Sequence, residues 1–427
     1  MKTVETERSR PSRKASADIT TEKERQPELV LPSGDKARLD SVDTLRGIVM
    51  VIMALDHTRH FFSNSDYLFD PTDLSRTTPL LFFTRWITHF CAPVFVFLAG
   101  SGAYLSLSRG RSLEDLSRFL SNRGLWLVFL EIFVISPVGW FMNFSFGMTQ
   151  LQVIWVIGIS MIVLSALIRV LPSRIIGALG AAMIFIHNLF DGAHSVWLGR
   201  AAGIWRVAHQ TTLFEPWPHH FIRSFYPLVP WTGVMMVGYA GGEMMTLPAF
   251  RRRRSLLTGG SLLITLFIVL RTWNIYGDPF SWSPQKNFLF SVMSFLRCNK
   301  YPPSLLYLLM TLGPALVFIA FMDKKTNWPL DRLRVFGRVP LFYYLLHLPL
   351  LHCIALLISY ARLGDTSGVC QGVVAPQGAP QPPSTDCGYN LAVVYAVWIA
   401  AVLLLYPVCR WFAALKLRRR EVIFSYL

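Results

Sequence analysis

The sequence predicts an all-α integral membrane protein, a polytopic bundle of about ten transmembrane helices with both termini in the cytoplasm. The first observation is composition: 53% of the 427 residues are hydrophobic, 15% are charged, and the mean hydropathy is +0.41. The second is that apolar stretches of about 18 residues or more recur along the chain, long enough as helices to cross a hydrocarbon core about 30 Å thick. The third is that basic residues concentrate in alternate connections, as the positive-inside rule predicts.

The apolar stretches divide the chain into one membrane domain and two tails. We expect a disordered cytoplasmic tail over 1–36, a transmembrane domain over 37–415 and a short basic cytoplasmic tail over 416–427. The first apolar run starts near Ile48, too far along for a cleaved signal peptide, and is expected to act as an uncleaved signal anchor. The predicted spans are 44–63, 80–107, 124–143, 150–171, 174–191, 225–247, 256–274, 303–322, 339–360 and 389–412.

The charge distribution sets the predicted orientation. With the N-terminus inside, 29 of the 41 basic residues fall on the cytoplasmic side and 11 on the outer side. This asymmetry accounts for the net charge of +16 without a nucleic-acid partner, since no zinc-finger spacing, RNP-like segment or basic amphipathic helix is present.

The cysteines predict one disulfide and no metal site. Cys370 and Cys387 fall in one outer loop, where an oxidising compartment favours pairing; two free thiols are the alternative. Cys91, Cys353 and Cys409 fall within spans, where small apolar fillers are expected. No Cys/His spacing is typical of a zinc site.

The histidines predict that the chemistry faces outward. None of the ten lies in a predicted cytoplasmic segment. Histidine is the side chain whose unperturbed pKa lies nearest neutral pH, which suits proton transfer.

The stretch MALDHTRHFF (53–62) ends the first predicted span with Asp56, His57, Arg59 and His60. Residues three or four apart share a helix face, and ionisable groups in a span are functional candidates. The alternative is an interfacial helix end in which Asp56 pairs with Arg59 and His60 faces water.

Two further histidines lie beside prolines inside predicted spans. His89 precedes Pro93 by four residues, and His347 precedes Pro349 by two. Either could serve the chemistry or form a structural hydrogen bond to a neighbouring helix or a freed carbonyl. The small residues around Ser101 indicate close helix packing rather than a nucleophile. Glu131, within the third span, is expected to pair with a basic residue.

Two stretches in order, RLDSVDTLRGIVMVIMALDH (38–57) and PVFVFLAGSGAYL (93–105), resemble the catalytic domain of the heparan-alpha-glucosaminide N-acetyltransferase family. The resemblance to its bacterial branch extends over nearly all of 38–412. It implies transfer of an acetyl group from acetyl-CoA to an amino sugar across a membrane, here the bacterial inner membrane. The family's polar position near the end of the first span falls at His57, beside Asp56. The often acidic position before Pro93 is His89.

The resemblance and the residues together predict a mechanism. Acetyl-CoA would bind among the cytoplasmic helix ends at Arg46 and Asp43, with arginines neutralising its phosphates. His57, oriented by Asp56, would deprotonate a periplasmic sugar or glycan acceptor, or carry the acetyl group covalently. His89 would donate a hydrogen bond to the oxyanion, and His60 and His347 are further catalytic candidates.

Several alternatives stay open at the level of sequence. The chain could instead be a proton-coupled secondary transporter or glycan flippase that uses Asp56 and the membrane histidines as a relay. The acceptor group (amine or hydroxyl), the acyl chain length and formation of a homo-oligomer are not decided by these patterns.

Overall fold

The computed structural model describes residues 39–66, 68–142, 144, 146–193, 199, 202–323, 328–366, 369 and 388–419. The predicted tail 1–36, the end of the C-terminal tail, and Cys370 and Cys387 lie outside these residues, so the disordered tails and the disulfide stay predictions. The helices are α1 Asp40–Phe62, α2 Pro79–Ile87, α3 Cys91–Ser108, α4 Leu113–Leu130, α5 Val153–Val170, α6 Ser173–Ile186, α7 Ala202–His209, α8 Leu228–Met245, α9 Ala249–Trp273, α10 Phe288–Leu296, α11 Leu305–Met322, α12 Trp328–Arg338, α13 Pro340–Leu363 and α14 Leu391–Arg418.

Each of the ten predicted spans is helical. In the described residues, eight helical segments are long and apolar enough to cross a membrane, and α1 and α8 are not among them. These two helices lie inside the bundle, where α8 buries 12 of its 18 residues and α1 buries 15 of its 23. Helices that contact other helices rather than lipid tolerate more polar residues. The helical membrane bundle is thus observed, while the count of ten spans and the orientation stay predictions.

Short elements that the apolar pattern did not predict occupy the segments between spans. A sheet in the order β1-β3-β2 is formed by β1 Met148–Leu151, β2 Thr212–Trp217 and β3 His220–Ser224. β1 runs parallel to β3, pairing Met148 with Phe221, while β2 is antiparallel to β3 and irregular between Phe214 and Trp217.

Glycines let the helices approach closely. A Cβ on Gly100 would lie 2.1 Å from the Met235 carbonyl oxygen of α8, and the Ser101 hydroxyl donates to the Gly238 carbonyl at 2.9 Å. The predicted packing role is therefore confirmed for Gly100 and Ser101, whereas a Cβ on Gly102 would meet nothing within 4 Å. α1 crosses α12 in the same manner, since a Cβ on Gly47 would lie 2.0 Å from the Leu333 carbonyl oxygen.

A buried arginine organises the segment between α9 and α11. Arg271 donates to the carbonyls of Phe280, Ser294, Phe295 and Arg297 at 2.6–3.0 Å. Asp278 accepts from the backbone N–H of Asn299 at 2.8 Å and from the hydroxyl of Ser304, which caps α11. Burial raises the pKa of the Asp278 carboxyl. This network holds residues 299–304 against the bundle and so places Lys300.

Candidate active site

Two histidines from opposite ends of the chain meet in the bundle. The Nδ1 atom of His57 on α1 lies 2.7 Å from the Nε2 atom of His347 on α13, and the rings stack with centroids 5.0 Å apart. His347 is fully buried, whereas His57 is half-buried. The structure therefore brings into contact two histidines that the sequence analysis identified as separate candidates.

The hydrogen bonds define which nitrogen carries each proton. The Nδ1 atom of His347 lies 3.1 Å from the Tyr343 carbonyl oxygen, which only accepts hydrogen bonds. A neutral His347 then donates from Nδ1 and accepts at Nε2, so His57 must donate from its own Nδ1. The remaining nitrogen of His57, Nε2, keeps its lone pair and is the candidate base.

Trp140 forms a wall shared by His57 and His60. Its ring meets both imidazoles edge to face, with centroids 5.2 Å and 5.3 Å away. Trp140 is the second-last residue of a π-helix, Glu131–Phe141, that continues α4 and contains Pro137. π-helical segments are frequent at functional sites. Sequence reasoning missed Trp140, although a proline within the span signalled an irregular helix.

Asp56 binds three cations. Its carboxylate lies 3.0 Å from Arg59, 3.1 Å from Arg85 and 3.4 Å from Lys300. The pair with Arg59, which belonged to the alternative interpretation of this helix end, is present. The predicted role of Asp56 in orienting His57 is not supported, because the Nδ1 atom of His57 donates to His347.

Sequence reasoning missed two partners of Asp56. Arg85 is an ionisable residue inside the predicted span 80–107, which is the signal that could have identified it. Lys300 precedes α11 and carried no such signal. The electrostatic effect of both reaches Tyr301, outside the spans: burial alone would raise the pKa of its hydroxyl, and the charges of Lys300 and Arg85 shift it downward instead.

His60 belongs to a neighbouring ion-pair cluster. Its Nδ1 atom lies 3.1 Å from Asp66, which also binds Arg59, and 29% of the side chain is exposed. His60 thus borders the site through Trp140, without a hydrogen bond to His57 or His347 among the described contacts.

His89 lies on a 3₁₀ turn, Thr88–Phe90, between α2 and α3. It is buried, and its ring meets that of Tyr307 with centroids 5.4 Å apart. The Tyr307 hydroxyl donates to the His89 backbone carbonyl at 2.8 Å. Within the described part of the chain, the Nδ1 atom of His89 has no hydrogen-bond partner. Among the described residues, no contact joins His89 to His57.

Arg46 and Asp43 pair at the other end of α1. Their side chains are 3.2 Å apart, and Arg46 also approaches the Gly337 carbonyl oxygen at 3.5 Å. Eleven residues separate Arg46 from His57, about 16 Å of helical rise. The predicted donor-binding residues and His57 therefore lie on one helix, about three turns apart.

The hydrogen-bond partner of Glu131 is not the basic side chain that the sequence predicted. The buried carboxylate accepts the backbone N–H of Trp155 at 3.1 Å, in the first turn of α5. Among the described residues no cation forms an ion pair with it, so the predicted basic partner is wrong, and a helix N-terminus takes its place.

Comparison with known proteins identifies a family. The family model for the catalytic region of heparan-alpha-glucosaminide N-acetyltransferase matches residues 38–275, more than half of the chain. No curated protein matches the chain. The matched region contains His57, Asp56, Arg85 and His89, whereas Lys300 and His347 lie beyond its end.

Proposed function

This chain belongs to the heparan-alpha-glucosaminide N-acetyltransferase catalytic family, and from that premise we propose that it moves an acetyl group from cytoplasmic acetyl-CoA to a periplasmic amino sugar or glycan. The family supports a membrane acyltransferase in general. The donor, the acceptor and the residue roles given below belong to the proposal.

His57 is the proposed general base, and its bond to His347 is the observation that carries the proposal. The acceptor nitrogen attacks the thioester carbonyl, and a C–N bond forms while the nitrogen's proton passes to His57 Nε2. The C–S bond then breaks, and His57 returns that proton to the leaving thiolate. His347 holds the required tautomer of His57 and shares the positive charge while the proton is held.

His89 is the proposed oxyanion donor. Its buried Nδ1 atom lacks a hydrogen-bond partner in the described residues, which suits a donor reserved for a charge that develops only during reaction. His60 is assigned to the wall of the site, because Asp66 already occupies its Nδ1 atom.

Acetyl-CoA is proposed to bind near Arg46 and Asp43, with its thioester reaching along α1 toward His57. Arg46 would supply positive charge for a phosphate, and Asp43 would hold Arg46 in place. The basic residues of α12, which crosses α1 here, supply further charge at this end.

Radiolabelled acetyl-CoA provides the direct test. Protein purified in detergent is incubated with acetyl-CoA and glucosamine, a muropeptide or no acceptor, alongside His57→Ala and the control His220→Ala, which changes a half-buried histidine in β3. We expect labelled product from wild type and His220→Ala, and a loss of about 10²-fold or more with His57→Ala. Binding of acetyl-CoA by all three proteins shows that the variants are folded.

Two outcomes would redirect the assignment. Label retained on the protein without acceptor would replace the base mechanism with a covalent acetyl-histidine. A wild-type protein that neither binds acetyl-CoA nor releases free thiol from it would overturn the transferase proposal, and proton-coupled transport would then be tested.

A further inference from the structure

The basic end of α14 carries a surface notch. The notch has a volume of about 490 Å³ and is lined by Tyr406, Pro407, Arg410, Trp411 and Ala414. Residues four apart on a helix share a face, so the series 406, 410, 414 and the pair 407, 411 form adjacent rows. The large side chains stand around the small Ala414 and the proline, which leaves an open depression on the helix.

α14 is at the periphery of the bundle. Of the eight segments that could cross a membrane, α14 is the least buried, with 17% of its most apolar 18-residue stretch buried. Its side chains Leu403, Leu404 and Trp411 are 58–66% exposed. A surface this apolar on a membrane helix faces lipid. The notch therefore opens toward the bilayer rather than into the site that holds His57.

The predicted last span, 389–412, puts Arg410 near headgroup depth. Arg410 follows Leu391 by 19 residues, about 28 Å of helical rise, which is close to the thickness of the hydrocarbon core. The flanking rings of Tyr406 and Trp411 are the residue types enriched at a membrane interface. An apolar depression with an aromatic rim and a cation thus coincides with the level of lipid phosphates.

The charge of Arg410 has no protein counterion among the described residues. Arg410 is exposed, and no carboxylate of the described chain lies within ion-pair distance of it. A guanidinium binds a phosphate through two parallel hydrogen bonds. A cation of this kind at the lipid surface attracts anionic headgroups.

We propose that this notch is a binding site for an anionic phospholipid, with Arg410 holding the headgroup phosphate and an acyl chain running over Pro407 toward the bilayer interior. The site is separate from the proposed transferase chemistry. If the lipid site proves wrong, the transferase proposal is unaffected.

Lipid retention tests the proposal. Wild type, Arg410→Gln and Arg169→Gln are reconstituted with equal phosphatidylglycerol and phosphatidylcholine, re-extracted in detergent, and their bound lipids counted by native mass spectrometry. Arg169 is the matched control: it is an exposed arginine at the end of α5, and no carboxylate of the described residues lies within ion-pair distance of it. We expect wild type and Arg169→Gln to retain phosphatidylglycerol in preference to phosphatidylcholine. Arg410→Gln should retain about fivefold less phosphatidylglycerol than wild type.

The result that would overturn the proposal is equal retention of both lipids by wild type, or unchanged preference in Arg410→Gln. Arg410→Lys keeps the charge and should keep most of the preference, which separates lipid binding from a folding defect. If Trp411→Cys forms a disulfide-linked dimer in membranes, a second copy of the chain covers the notch, and the lipid site is wrong.

Discussion

At the scale of single residues, the hydrogen-bond partner decides what each histidine can do. His57 donates to another histidine and keeps a lone pair, His60 faces a carboxylate, and His89 is buried beside a tyrosine ring. Three side chains of one type in one region are thereby suited to three different tasks.

Replacing His347 should impair acetyl transfer without impairing donor binding. His347→Ala removes the acceptor that selects the tautomer of His57, so we expect kcat to fall by about 10²-fold while the affinity for acetyl-CoA stays constant. His347→Gln retains an acceptor oxygen and should keep more activity than the alanine variant. Equal activity of both variants and wild type in steady-state kinetics would exclude the proposed role of His347 in holding the tautomer of His57.

Neutralising Asp56 should destabilise the fold. Asp56→Asn leaves Arg59, Arg85 and Lys300 without their shared carboxylate, and breaking a buried ion pair costs about 3–5 kcal/mol. We expect a lower midpoint in detergent thermal-unfolding assays, and partial recovery in Asp56→Asn/Lys300→Met. If the double variant is no more stable than the single one, the cluster does not depend on this charge balance.

The sequence identified His57 and His347 but could not pair them, because 290 residues separate them. It coupled Asp56 to His57 because they are neighbours in the chain. Consecutive residues on a helix point about 100° apart, so Asp56 faces α2 and Lys300 while His57 faces α13. Lys300 and Trp140 depend on tertiary placement that no local spacing encodes.

At the scale of elements, the length of the apolar stretches predicted every long helix. Two of these helices, α1 and α8, are less apolar than the others, and their burial explains why. Helices α1 and α8 carry more polar residues than a helix that faces lipid on most sides. They can do so because they contact protein on most sides. The short elements between the spans escaped prediction. The strands have mixed composition over few residues, which gives no period to detect, and the nine mostly apolar residues of α10 are too few for a span.

The crossing of α1 and α12 should not tolerate a methyl group. In Gly337→Ala the new Cβ would lie 1.9 Å from the Asp43 carbonyl oxygen, and in Gly47→Ala it would lie 2.0 Å from that of Leu333. Backbone cannot yield locally, so we expect a destabilisation of about 1–3 kcal/mol for each variant, measured as a lower thermal midpoint. Gly102→Ala, which meets nothing within 4 Å, should be neutral, and similar losses at all three positions would contradict the argument.

At the scale of the whole molecule, the orientation rests on charge asymmetry and awaits a direct measurement. We predict that a membrane-impermeant maleimide labels Ser281→Cys, between α9 and α10, in intact cells. Arg118→Cys on α4 should react only after permeabilisation, because its segment is predicted to face the cytoplasm. The reverse pattern would invert the topology and place the histidine pair toward the cytoplasmic side. Both positions are exposed, so accessibility does not bias the comparison.

The hydrogen bond that joins His57 on α1 to His347 on α13 has a genetic consequence. The two members of the proposed catalytic pair are encoded near opposite ends of the gene, and the region matched by the family model ends before the codon for His347. A gene divided after α9 would therefore encode two polypeptides that are each inert. Activity would return only when both fragments are expressed together and assemble, as in complementation between two alleles.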